Sequence, residues 1–168
     1  MGSDNVMYSD QRPIHKVYLD AFWIDQTEVT NKQYAACVAD GACTPPSDVS
    51  SNSRTHYYGN SEFDNFPAIY VDWSQATAYC LWAGRRLPSE AEWEKAARGT
   101  DARIYPWGND EPNDTLIKLK AGDTFQVGYH YKGKSFYGAY DMGGNVWEWV
   151  NDWYQRDYYA TLGERSSN

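Results

Sequence analysis

Long apolar runs are missing from this sequence, basic residues are outnumbered, and aliphatic side chains are few. No stretch approaches the roughly 20 apolar residues of a membrane-spanning helix, so no membrane partner is expected. Lys and Arg number 15 against 23 Asp and Glu, a formal net charge of −8. A phosphate backbone would be repelled, and nucleic acid is not an expected partner. Met1 to Asn5 carry neither a basic stretch nor an apolar one, so no signal peptide is expected and the chain reads as cytoplasmic. Three cysteines are too few and odd in number for a disulfide framework. Cys37 and Cys43 are close enough in sequence to bridge a small loop, although in a reducing compartment such a pair is more often two free thiols. His15, His56 and His130 are scattered without helical pair spacing, which argues against an iron site built from them. No nucleophile elbow is present.

What the chain has instead is aromatic: 8 Trp, 15 Tyr and 5 Phe in 168 residues. Buried Trp and Tyr need partners for their N–H and O–H groups, which suits a loop-rich fold better than a leucine-rich bundle. The length fits one domain, residues 1–168. Three capping boxes mark helix starts. Thr30 with Gln33 predicts a helix over about 31–39, ended by Asp40-Gly41. Asp72 with Gln75 predicts one running to Gly84. Ser89 with Glu92 predicts one over about 90–98, closed by Gly99. Extended pieces are expected around 17–22, 22–29, 66–72, 124–129 and 146–150. Residues 1–12 read as ragged, and 44–65 as a long loop of the kind that is functional or mobile. Glycine and proline punctuate everything after 100. The fold class is α+β with much irregular structure.

Three strings, in this order and spacing, resemble the formylglycine-generating-enzyme superfamily, the sulfatase-modifying factors. They are FWIDQTEVTNKQYAACV (22–38), VDWSQATAYCLWAGRRLPSEAEWEKAARG (71–99) followed by YPWGND (105–110), and YGAYDMGGNVWEWVNDWY (137–154). The resemblance covers most of the chain. It implies a C-type-lectin-related fold, here incomplete at the C-terminus. It also implies structural calcium held by the Asp141 and Glu148 side chains with the backbone carbonyls of Gly144 and Val146. Calcium takes several oxygen ligands and accepts carbonyls from a glycine-bearing turn. At a second calcium position of the family, Lys118 of Ile117-Lys118-Leu119 stands where an oxygen ligand is expected. Asp123 is the nearest remaining acid, and that site is expected to be empty or filled differently.

The resemblance also implies a copper-binding pair of cysteines near the C-terminus. This sequence stops before the strand that would carry them, and no cysteine follows Cys80. No catalytic residue is therefore assigned, and copper is not expected. Cys80 falls on the apolar face of a helix and reads as a buried structural thiol. Arg85 and Arg86 read as anchors for carboxylates or carbonyls, and Trp93 as core. The stretch 125–137 is crowded with rings. Tyr129, His130, Tyr131 and Phe136, with Trp147, are candidate ligand-binding residues. The expected function is a noncatalytic binding or scaffolding domain for a protein, peptide or carbohydrate. The alternatives are an oxidase converting cysteine to formylglycine with cysteines supplied from elsewhere, and a regulatory domain of a kinase or nonheme iron enzyme. A homodimer is the expected way to cover an open edge.

Overall fold

The computed structural model describes residues 1–4, 8–101, 103–118 and 122–165, the last four without side chains. Among the described residues there are three short 3-10 turns and four α-helices, α1 (Asn31–Ala39), α2 (Trp73–Trp82), α3 (Glu90–Arg98) and α4 (Tyr158–Arg165). The first three start where their capping boxes place them. Each cap side chain accepts from the N3 amide, and each N3 side chain returns to the cap N–H. Reciprocal bonds satisfy donors that the first turn leaves free. Gly84 and Gly99 end α2 and α3 at φ 70 and φ 67, a region that disfavours any side chain. α4 carried no clear signal in the sequence and was not expected.

Among the described residues none of the expected extended pieces becomes a strand: Tyr70 and Gly128 interrupt two of them at φ 58 and 71, and the Tyr129 amide donates to the Gln126 carbonyl in a turn (3.1 Å). Among the described residues only two isolated bridges exist, Thr30 with Pro67 and Tyr105 with Gly108. The expected strands are thus corrected to irregular chain. Alternation makes a segment extended, whereas a ladder needs a neighbour in register.

Among the described residues the buried apolar side chains form two small clusters. Tyr34, Cys37, Cys43 and Tyr79 form one, between α1 and α2. Ala96, Ala97, Ala139 and Met142 form the other, with Ile24 and Trp93 packed against it. Trp93 thus packs as expected. Cys37 and Cys43 are joined by a disulfide, with Cα atoms 5.3 Å apart, which closes the question that the spacing left open.

Two loop expectations change. The N-terminus is tied down: the Met1 ammonium donates to the His15 carbonyl (3.0 Å), and Arg98 donates to the Gly2 carbonyl (3.2 Å). The 44–65 loop is anchored by Tyr57, which is fully buried and donates its hydroxyl hydrogen to the Pro67 carbonyl (2.6 Å). Arg54 stacks over Phe63 and Phe66 at 5.0 and 5.1 Å and pairs with Asp123 at 3.0 Å.

Candidate functional site

A cleft of about 660 Å³ separates the two apolar clusters. One wall is the irregular chain around Phe22 and Ile24, and another is α2 with Tyr79 and Cys80. The third is the segment 146–149 with Trp147 and Trp149. Tyr34 and Tyr79 belong to one cluster and Met142 to the other, so the opening lies where a continuous core would be expected. Two ion pairs brace the walls. Arg85 holds Asp25, and Arg86 grips Glu92 through both carboxylate oxygens at 2.7 Å. The Arg86 hydrogen bonds outweigh burial and hold Glu92 down at about 2. Both arginines therefore anchor carboxylates, as the sequence suggested.

Glu28 and Glu148 also line the cleft, with Asp141 close behind. Glu28 is only 9% exposed. Its Oε1 accepts from the Asn145 amide at 2.9 Å, while its Oε2 is buried without a partner. Burial pushes the Glu28 carboxyl up to about 8, Asp141 and Glu148 add to the rise, and Asn145 opposes it. Glu148 is exposed as a residue, but its carboxylate accepts from the Trp93 indole N–H at 2.8 Å. Burial raises its carboxyl too, with Trp93 opposing and Asp141 adding to the rise.

The turn 141–145 sets this corner. Asp141 and Asn145 both sit at positive φ, 58 and 65, which is uncommon for residues with side chains. The Gly144 amide donates to the Asp141 carbonyl (2.9 Å). A Cβ on Gly144 would lie 3.0 Å from Ile117 Cδ1, so the glycine allows close packing there. The Asp141 carboxylate accepts from the Gly128 amide at 2.6 Å. Three carboxylates thus repel one another around a buried orphan oxygen. Among the described residues, no three His, Cys, Asp or Glu side chains converge tightly enough to hold a metal between them.

The sulfatase-modifying factor enzyme 1-like domain matches residues 1–167. The chain belongs to that family. Among its relatives is the inactive C-alpha-formylglycine-generating enzyme 2 of Bos taurus, 45% identical over 102 residues, covering 54% of this chain and 34% of that protein. The formylglycine-generating enzyme of Thermomonospora curvata is 33% identical over 198 residues, covering 89% and 65%. The serine/threonine-protein kinase pkn1 of Chlamydia caviae is 30% identical over 177 residues, covering 94% and 27%. The chain therefore spans less than two thirds of the length of these relatives.

Within this sulfatase-modifying-factor domain, Asp141, Gly144, Val146 and Glu148 lie along one turn and the chain leaving it. Glu28 was missed. Its signal was present: an acid between Thr27 and Val29 in a segment bound for the interior. Asn145 was missed as well, because its role depends on Glu28, distant by 117 residues.

The candidate ligand residues do not form one surface. Tyr129 and His130 pack at a tilt against Phe125, with ring centres 5.2 and 5.6 Å away. Phe136 packs on Tyr137 at 5.2 Å with the Arg103 guanidinium over it, and Tyr131 is exposed. Of the five, only Trp147 lines the large cleft, and it is fully exposed.

At the second calcium position, Lys118 lies over the Phe125 ring at 4.7 Å; Leu119 lies outside the described residues. Asp123 accepts from the hydroxyls of Ser51 (2.7 Å) and Ser53 (2.6 Å). Burial alone would raise its carboxyl, but these bonds and the Thr124 amide hold it at about 2.

All three cysteines have structural surroundings. Cys37 and Cys43 are bridged, and Cys80 sits half-buried on the cleft wall, where burial pushes its thiol up. A raised thiol is mostly protonated and a poor ligand or nucleophile.

Proposed function

We propose that this sulfatase-modifying-factor domain is a noncatalytic binding domain whose cleft receives an apolar segment of a peptide or protein partner. The observation that carries the reading is the cleft itself. Its aromatic walls offer contact area at low entropic cost, and burial pushes up the thiol of Cys80 on its wall. The likeness to an inactive formylglycine-generating enzyme supports it. The C-type-lectin-related architecture expected from the sequence suits the same role. The Cys37–Cys43 bridge favours oxidising surroundings over the cytoplasm expected from the sequence.

The test offers the protein a sulfatase-motif peptide with Cu(I), reductant and O2, and looks for aldehyde by mass spectrometry. None is expected while a full-length family enzyme is active alongside. Aldehyde above a no-protein control would overturn the reading.

The acidic corner is proposed as a structural calcium site. The orphaned Glu28 oxygen and the mutual repulsion of Glu28, Asp141 and Glu148 fit a hard divalent cation. The Asp141 and Glu148 carboxylates with the Gly144 and Val146 carbonyls would hold it, with Glu28 adding negative charge nearby. Its contribution would be charge compensation, fixing the turn against the cleft wall.

One observation favours a second reading, a formylglycine-generating oxidase. The Thermomonospora curvata enzyme aligns with 89% of this chain. Under that reading the copper-binding cysteines come from polypeptide outside these 168 residues. Aldehyde formation in the same assay would select it. A regulatory role has the kinase alignment in its favour, at 94% of this chain.

A further inference from the structure

We propose that Asn113 is an N-glycosylation site, whose side-chain amide takes an oligosaccharide from a lipid-diphosphate-linked donor. The proposal is independent of what the cleft binds.

Asn113-Asp114-Thr115 is the one place in these 168 residues where Ser or Thr stands two positions after an asparagine, and the residue between them is not proline. Such a pattern arises easily by chance, and the geometry is what distinguishes this one. The Asn113 Oδ1 accepts from the Thr115 amide (3.0 Å) and from the Thr115 hydroxyl (2.6 Å). A backbone N–H can only donate, so the atom of Asn113 that faces Thr115 is its oxygen. Nδ2 is left with the Glu111 carbonyl at 3.5 Å, too long for an effective hydrogen bond. Two donors on Oδ1 polarise the amide toward its oxygen and loosen the protons on Nδ2, which is what the nitrogen needs to act as a nucleophile. Both bonds lie within residues 113–115, so this turn can form in a nascent chain before the domain folds.

The folded chain leaves room for the product. Asn113, Asp114 and Thr115 are all exposed, and none of them lines the large cleft. The chain that follows anchors the turn. The Leu116 and Ile117 amides donate to the Asn113 carbonyl (2.9 and 3.0 Å), and Ile117 packs against Gly143 and Gly144. An oligosaccharide on Nδ2 therefore extends into solvent from a fixed base. The Cys37–Cys43 bridge points to the same oxidising surroundings in which secreted chains are glycosylated.

The transfer balances without an oxidant or reductant. Nδ2 of Asn113 bonds to the anomeric carbon of the donor sugar. The bond from that carbon to the diphosphate oxygen breaks, and the lipid diphosphate leaves with the electron pair. One Nδ2 proton passes to a base of the transferase.

Peptide mapping of the protein from its own cells tests occupancy. Trypsin releases residues 104–118 as one peptide, between Arg103 and Lys118. That peptide should carry the mass of an N-glycan. After an amidase that cleaves the glycan–asparagine bond it should hold aspartate in place of Asn113, with Asn109 in the same peptide unchanged. Cell-free translation of the chain behind a secretion leader, into microsomes, tests the residues without requiring the variants to fold. The parent should show a mobility shift that the amidase removes. Asn113→Gln and Thr115→Ala should lose the shift, and Thr115→Ser, which keeps the hydroxyl, should retain it at least in part. An unmodified peptide 104–118 from the protein's own cells would overturn the proposal. So would a parent that shows no shift, or a shift that survives Asn113→Gln or Thr115→Ala.

Discussion

Asn145 ties together parts of the chain that sequence separates widely. Its amide hydrogens go to Glu28 (2.9 Å) and the Phe125 carbonyl (3.3 Å), and its oxygen accepts from the Phe125 amide (2.8 Å). Asn145→Ala leaves a second Glu28 oxygen and the Phe125 backbone without partners, and should cost about 2–4 kcal/mol in denaturant unfolding. Glu28 behaves differently. In chelator, Glu28→Gln removes one of three repelling carboxylates and should leave the melting temperature unchanged or raised. With calcium, the same variant, like Asp141→Ala and Glu148→Ala, should lose the calcium-dependent rise of the parent. An undiminished rise in all three would show that the ion binds elsewhere. Two other acids set the response to low pH. Glu92 and Asp123 both sit at about 2, below their ordinary values of 4.5 and 3.8. The unfolded chain therefore takes up their protons first, and the stability they contribute at neutral pH is lost as pH falls from about 4.5 to about 2. Glu92→Gln should flatten that slope in acid titration followed by circular dichroism.

Helices α1, α2 and α3 were legible because their start and stop signals are local: a capping box at one end and, for α2 and α3, a glycine at positive φ at the other. Ser89→Ala should cost about 1 kcal/mol in thermal unfolding through the lost cap. The disulfide is also local. It closes a loop with a sequence separation of 6 beside α1, and reduction should remove about 2 kcal/mol, lowering the melting temperature by roughly 4–8 °C. No change under reductant would mean that the thiols are already free in solution. The expected strands were not legible, because a ladder depends on what lies beside a segment, and 124–129 folds into a turn instead. Tyr57 shows the same limit. Its place at the centre of a loop rests on Pro67 and Thr124, and nothing within 44–65 announces it.

At the scale of the whole molecule, two small clusters flank an aromatic-walled cleft, and much apolar surface faces solvent. A chain of this length that buried a normal core would unfold with a heat-capacity change of about 2.0–2.5 kcal/mol/K. This protein should fall clearly below that in calorimetry. A value within the range would mean that the cleft is closed in solution.

The sequence by itself determined the family, the three capped helices, the acidic character and the turn 141–148, since each is written in contiguous residues. Only the tertiary structure decided that Glu28 joins Asp141 and Glu148, that Cys80 faces a cleft, and that the five aromatic candidates divide among separate surfaces. Those outcomes depend on which distant segments meet. Burial raises the Glu28 carboxyl only once the chain has folded around it, and no local pattern records that burial.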